Sequence, residues 1–549
     1  MPVYVDSGGN LYFAASPTSV NDQQLLTGNA TLIAALTAVS PTPKRVETDV
    51  NGVITLRTAS YSPSGISVRY TTDGTGVQKN QIFVNGDSFE ARHCTDLDTG
   101  TFTAAQVGGV ATITQASHGV MPGTVIHIGG WTDPYWNGYF IVDASTLAAN
   151  TFTFAIDSRA SAVPVAGNYT PNITIPSQRL ATGFMNWAEW LTGMDFNYKN
   201  IALGSRKSAE MVTEFEADYQ QAGPGSTIIF GGFTNDCNQL VPTATSAANL
   251  AALIQAAQIK NINVVLMTIP PFAAPAYSAT KANLILALNA VFRAYALLYK
   301  CELWDWHELG CDPAGNDTLL SGLFDSGDGL HPTPLYYKML AEAYVIPYLL
   351  AKGYGSPMPL IASTGDVRAT LASSNNLLPL MTGSGGGFAG GATGSAVTGT
   401  TTTNSALTSV TASVTTSTVG SKQVFDIVSA GSGSFTWVGG DIKASLTAGK
   451  KYVFYGKVNV ESPVAFRLSL WMKLSTASAN ANIQACANQG IPLPMPAGNY
   501  SMTFQTDPAG ALFPSGMTLT LAQFNTQFAS HVAGNTRLSY ELLAFRELP

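Results

Sequence analysis

Between about residue 180 and residue 350 the chain alternates short apolar runs with longer segments of helical period. Phe196 to Leu203, Thr227 to Phe230, Val264 to Ile269 and Glu302 to Asp305 read as strands. Gly183 to Leu191, Ser205 to Tyr219, Ala247 to Gln258, Lys281 to Tyr299 and Pro334 to Leu350 read as helices. The last has proline in its first turn, where a missing N–H costs nothing. Strands separated by helices of about 12–19 residues close as parallel crossovers, so this stretch specifies a parallel sheet with helices on both faces. Such a sheet brings the C-terminal ends of its strands to one edge, and ligands bind at that edge.

One more strand of the same kind stands about 100 residues upstream. Ile82, Phe83 and Val84 form an apolar run that stops at Gly86-Asp87-Ser88. An apolar run ending in Gly-x-Ser delivers a serine to the end of a buried strand. That serine is either a helix N-cap or a nucleophile.

The other strand ends carry particular residue types. The second reads Asn200-Ile-Ala-Leu-Gly204-Ser205, the third Gly231-Gly-Phe-Thr-Asn235-Asp236. The loop before the last helix reads Asp328-Gly-Leu-His331-Pro332. A serine hydroxyl is a poor nucleophile until a base takes its proton, and His331 is suited to that. Asp328, three residues earlier, can turn back to accept from the ring and fix its tautomer. A tetrahedral intermediate needs donors, which the Ser88 amide, an amide at Gly204 or Ser205 and the Asn235 side chain can supply.

In this order and at these relative positions the four blocks resemble the SGNH (GDSL-type) hydrolases. The resemblance covers about residues 80–95 and 178–352. It implies a three-layer α/β, flavodoxin-like domain that hydrolyses carboxylic esters without a cofactor or metal. It implies Ser88 as nucleophile, His331 as base, Asp328 as its orienter and Asn235 as the oxyanion side chain. The oxyanion amide it implies falls at Gly204 or Ser205. Phe89 stands where the family usually has Leu or Ile. The third block is one residue longer than the usual Gly-x-Asn-Asp, which bears on the approach to Asn235.

Other residues near these blocks have plainer readings. His93 either lines the site or sits on the first helix. Asp305, His307 and Glu308 imitate a metal cluster but lack a further ligand at suitable spacing, so they read as a strand end packing into the domain. The cysteines, at 94, 237, 301, 311 and 486, form no zinc spacing or disulfide framework and read as free thiols, although Cys94 and Cys237 could meet.

The rest of the chain reads as β-rich. Only 11% of the 549 residues are charged, against an average near ~25%. A chain so poor in charge is usually a β protein whose surface is Thr, Ser, Asn and Gly. The net charge of −7, with no basic run, excludes an electrostatic footprint for nucleic acid. No apolar stretch reaches the ~18 residues of a membrane span, so no membrane insertion is expected. Met1 to Asp6 has no basic n-region, so no Sec-type signal peptide is expected.

Residues 1–80 read as an N-terminal structural or attachment module, with hairpins at Val3 to Phe13 and Val46 to Thr58 and a helix at Asn21 to Val39. Residues 81–96 and 178–352 form the hydrolase domain, interrupted at 97–177 by a small β-barrel. Runs at 110–114, 124–128, 138–142 and 151–154 mark the barrel, which resembles a repeat in phage tail proteins. Its His118 and His127 read as surface or structural. Its Trp131, Tyr135 and Trp136 could stack on sugar rings or be core and rim packing.

Residues 353–374 read as a linker, with a Gly/Ser/Thr-rich surface loop at 383–403. The 375–549 segment is a β-sandwich, in jelly-roll form, from runs at 423–428, 434–438, 451–458, 465–471, 500–504, 517–521 and 537–545. It resembles carbohydrate-binding sandwiches, with a trimer-forming role as the alternative. Together these features suggest an esterase that removes O-acetyl groups from an O-acylated bacterial polysaccharide. It would act in a phage tail fibre or tailspike, as a homotrimer alongside other virion tail proteins. A lipase or acyl-thioesterase and a non-catalytic glycan-binding adhesin are the alternatives.

Overall fold

A computed structural model of the chain describes most of residues 81–360 and 384–547, with four short strands before them; 361–383 and several short stretches lie outside the description. The chain divides into two compact units, one of residues 1–90 and 198–331, the other of 91–197 and 332–549.

The first unit is built on five parallel strands. In spatial order they are Tyr198–Asn200, Ile82–Asn85, Thr227–Phe230, Asn263–Met267 and Glu302–Trp304. Every residue of Ile82–Asn85 and Thr227–Phe230 is buried, which explains why Ile82 to Val84 and Ile228 to Phe230 are continuously apolar rather than alternating. The connecting helices are Ser208–Asp218, Thr243–Ile259 and Ala279–Leu298. The expected Phe196 to Leu203 strand is shorter as a formal element. Its pairing nevertheless continues, because Ile201 N donates to Val84 O and Leu203 N to Gly86 O.

Ala279–Leu298 is long and apolar enough to cross a membrane, which the sequence reading did not expect. Here it is a core helix. Its Asn289 is fully buried and bonded in both directions to the Ile269 backbone at 2.8 Å. Its Phe292 meets the Phe233 ring edge-on at 5.2 Å.

Two N-terminal hairpins form as expected, Val3–Val5 with Leu11–Phe13 and Arg45–Thr48 with Ile54–Arg57. The helix expected at Asn21 to Val39 lies outside the described residues.

In the second unit, strands from Cys94–Leu97 to Asn172–Arg179 make a four-stranded and a three-stranded sheet. They enclose a core of Ala111, Ile113, Ile126, Ile128, Phe152 and Phe154. Thr103–Val107 and Asn172–Arg179 were not legible, the first because alanines dilute its alternation, the second because Pro176 interrupts it. Trp136 is fully buried in this core, so it is no sugar platform; Trp131 packs against it, and Tyr135 keeps 36% of its surface exposed. His118 and His127 are buried and therefore structural. His118 Nδ1 accepts from Val120 N at 3.0 Å, and His127 packs on Tyr139.

The C-terminal residues form two sheets, one of six strands and one of six plus the short Ala511–Leu512. The sheets pack face to face, with Phe425 of one against Phe435 and Trp437 of the other. The supposed surface loop contributes Gly387–Ala389, Thr393–Gly394 and Thr401–Ser405 to these sheets. Glycines at positive φ turn the chain between them, which is why the composition reads as a loop. The strand expected at 517–521 instead starts at Leu521 and runs to Ser530. Phe184–Thr192 also packs in this unit, its Trp187 ring 5.8 Å from that of Tyr500.

Candidate active site

The strand Ile82–Asn85 ends in a turn that presents Ser88 as the first residue of a short helix, Ser88–Ala91. Ser88 does not cap that helix. Asp87 does, its Oδ1 accepting from Phe89 N at 3.1 Å. The serine hydroxyl is thereby free, and Ser88 Oγ lies 3.0 Å from His331 Nε2. His331 Nδ1 lies 2.5 Å from Asp328 Oδ2. Ser88, His331 and Asp328 thus form one hydrogen-bonded chain across 243 residues of sequence.

The loop that carries the last two residues is closed on itself. Asp325 N donates to His331 O and Gly329 N to Asp325 O. Asp328 Oδ1 accepts from Leu330 N at 2.8 Å and His331 N at 3.0 Å, which leaves Oδ2 for the ring. Partial burial acts to raise the Asp328 pKa, but the His331 ring and these two amides outweigh it, so the carboxyl is held below its usual range. Gly329 has φ of 64°, and a Cβ there would stand 2.4 Å from the carbonyl oxygens of Ala273 and Ala274. Only glycine fits that close approach. Phe89 packs edge-on against the His331 ring at 5.6 Å.

Asn235 is brought beside the serine turn from the third strand end. Its amide N donates to Asp87 Oδ2 at 3.2 Å, and its Nδ2 donates to Arg206 O at 3.1 Å. One side-chain hydrogen is thus fixed and the other is left to donate elsewhere. The extra residue of this block is absorbed at Phe233, which adopts φ of 60° with its ring buried against Phe292. Asp236 then anchors the loop by accepting from Ser208 and Ser246.

Gly204 follows the last paired residue, Leu203, whose amide bonds Gly86. Ser205 lies one step further out, exposed, with φ of 65°. Among the described residues neither the Ser88 amide nor the Gly204 amide donates to a protein acceptor. A Cβ at Gly204 would meet nothing within 4 Å. Gly204→Ala is therefore expected to fold with stability within about 0.5 kcal/mol of the parent, as is usual for surface changes. Its methyl group would project into the open space next to an amide that the resemblance places in the oxyanion hole, so kcat/KM for any ester is expected to drop about 10–100-fold. Urea unfolding and steady-state kinetics on one preparation check both halves.

Arg206 was not singled out in the sequence. It is fully buried and bonds Asn85 Oδ1, Ile201 O, Asp218 and Glu214, bracing the loop whose carbonyl holds Asn235. The available signal was acidic residues 8 and 12 positions later, on one helix face.

Asp87 is fully buried, and burial raises its pKa to about 6 against the amides of Phe89 and Asn235. Its stabilising contribution is complete below about pH 4 and is lost as pH rises through about 6. Asp87→Asn should therefore gain on the parent by up to about 3 kcal/mol between pH 4 and pH 7. A gap in unfolding free energy that stays constant with pH would contradict this.

The remaining candidates resolve simply. Asp305 is paired with Arg293 at 2.6 and 3.0 Å and caps the Trp306–Gly310 helix, as the packing reading expected. Among the described residues no three His, Cys, Asp or Glu side chains gather as metal ligands. Cys237 is a free, buried thiol whose pKa is pushed up by burial and then by Asp236 and Asp87. His93 and the Cys94 side chain lie outside the described residues.

The GDSL-like Lipase/Acylhydrolase family model matches residues 169–339. The chain carries a GDSL/SGNH acylhydrolase domain. The matched stretch holds Gly204, Asn235, Asp328 and His331 but begins after Ser88, which the intervening strands separate from it. No curated protein matches the chain. Solved structures similar to it include a GDSL-like lipase from Bacteroides thetaiotaomicron, at 21% identity, covering 28% of this chain and 76% of that one with a TM-score of 0.25. A lipase/acylhydrolase from Enterococcus faecalis is 20% identical, covering 30% and 80%, with a TM-score of 0.25. A peptidoglycan O-acetylesterase is 12% identical, covering 51% and 93%, with a TM-score of 0.29.

Proposed function

We propose that the acylhydrolase domain is a serine esterase that removes O-acetyl or other short acyl groups from a bacterial surface polysaccharide. The Ser88, His331 and Asp328 chain, with separations of 3.0 and 2.5 Å, carries the reading. His331 Nε2 takes the Ser88 hydroxyl proton as Oγ attacks the ester carbonyl carbon. The Asp328 carboxylate holds Nδ1 protonated and stabilises the imidazolium. The Ser88 and Gly204 amides and Asn235 Nδ2 receive the oxyanion. Collapse expels the sugar oxygen, which takes the proton from His331. Water, deprotonated by His331, then releases the carboxylate from the acyl-enzyme and restores Ser88.

The polymer substrate and the tail-fibre setting rest on the β segments that interrupt and follow the domain in the sequence, with their resemblance to phage-tail and carbohydrate-binding units, and on a composition poor in charge. In that setting the protein works on the virion as a homotrimer with other tail proteins. The test is incubation with O-acetylated capsule or O-antigen, following acetate and chain length. Acetate release without chain shortening supports the proposal. Activity confined to long-chain acyl esters would favour a lipase or thioesterase. Binding with no ester hydrolysis would leave a glycan-binding adhesin.

A further inference from the structure

Behind the nucleophile turn sits an acidic side chain that the mechanism does not use. Glu90 is 2% exposed. Its Oε2 accepts from the Asp87 amide at 3.0 Å, which completes a capping box with Asp87 as the cap. A capping box needs nothing beyond its own helix, yet this carboxyl group reaches further. A Cβ on Gly86 would stand 2.1 Å from Glu90 Oε2, and one on Gly231 2.3 Å from Oε1. The carboxyl group is therefore wedged between the glycine that ends the serine strand and the glycine that ends the neighbouring strand. The second glycine leads through Phe233 to Asn235. On its other side the Glu90 carbonyl accepts from Asn200 Nδ2 at 2.7 Å, at the start of the Gly204 block.

We infer that Glu90 is a positioning residue, clamped between Gly86 and Gly231, that sets the Ser88 turn at a fixed spacing from the Asn235 and Gly204 donors. This rests on the esterase reading, because the spacing matters only if Ser88 attacks and those groups receive the oxyanion. A second observation bears on the form in which Glu90 acts. Burial, and then the neighbouring Asp87, push its pKa well above the usual carboxyl range, which favours the neutral acid. Glutamine reproduces the shape and the acceptor of that neutral acid; alanine reproduces neither.

The clamp makes a specific pattern of outcomes. Glu90→Gln is expected to keep kcat and KM within about 3-fold. Glu90→Ala is expected to lose about 10²-fold in kcat, the scale of a small misplacement of reacting groups, with KM within about 2-fold. Gly86→Ala is expected to lower the melting temperature in the parent and by much less in Glu90→Ala, because the three atoms nearest the added Cβ, all of Glu90 at 2.1–2.7 Å, have gone. The experiment is steady-state kinetics on p-nitrophenyl acetate, thermal melts of the parent, the three single variants and the Gly86→Ala/Glu90→Ala double variant, and hydrogen exchange across 86–90 and 231–236. Exchange should rise in both segments in Glu90→Ala and in neither in Glu90→Gln.

If Glu90→Gln falls as far as Glu90→Ala, or if Glu90→Ala keeps its kcat, the positioning role is wrong. If Glu90→Ala loosens 86–90 alone, Glu90 is only a helix cap and the clamp is overturned. If the parent hydrolyses no ester but melts and exchange follow the expected pattern, the clamp stands and the esterase reading fails.

Discussion

Replacing Ser88 with alanine should lower kcat on short acyl esters by about 10⁴–10⁶-fold, the range seen when a triad nucleophile is removed. KM should change little, since the hydroxyl touches His331 rather than any binding element. The fold should survive. Ser88 opens its helix without capping it, and the cap on Asp87 is untouched. The residual rate should stay above the uncatalysed one, because the change leaves untouched the donors proposed for the oxyanion. Kinetics with p-nitrophenyl acetate, and mass spectrometry for an acyl adduct on the parent but not the variant, check this. A variant that keeps a tenth of the parental rate would remove Ser88 from the mechanism.

Asp328→Asn should cost about 10⁴-fold in kcat, the scale of the equivalent change in a known triad. The two carboxylate oxygens have different duties. Oδ1 anchors the loop by accepting from Leu330 N and His331 N, and Oδ2 faces the ring. Asparagine can keep Oδ1 on the amides, but it then presents an NH₂ group to His331 Nδ1. The ring must take the tautomer that leaves Nε2 protonated, and Nε2 can no longer accept the serine proton. Loop geometry and stability should change little. A comparison with Asp328→Ala separates the duties, since alanine also releases both amides and should lose stability as well. Because the Asp328 carboxyl is held below its usual range, the loss of activity in acid should not be set by protonation of Asp328.

Much of this domain was legible because two of its strands are fully buried. A strand covered on both faces is apolar along most of its length, so the runs Ile82 to Val84 and Ile228 to Phe230 announce themselves. Polar residues then stand out where each strand stops. The sandwich was harder to read. Its Ser409–Thr416 strand buries Val410 and Ala412 between serines and threonines, which leaves little periodic signal. Trp136 shows the opposite failure, since an aromatic-rich turn reads equally as a sugar platform or as core, and burial alone chose core. Arg206 and Glu90 were missed for one reason. A charged residue near a strand end reads as surface, and only the folded chain shows its partners arriving from elsewhere.

By itself the sequence determined the order of strands and helices, the parallel sheet they require and the residue types at its carboxyl edge. Those features follow from local period and from the chain geometry of strand-helix-strand crossovers. The Gly86-Asp87-Ser88 stretch alone left Ser88 as either helix cap or nucleophile, because both uses place a serine after a strand, and the Asn235 and Asp328/His331 blocks further along favoured the nucleophile. What only the tertiary structure decided is which residue takes the cap and where the ring stands. Asp87 takes the cap, and the loop closed by Gly329 brings His331 to within 3.0 Å of the hydroxyl that the cap leaves free.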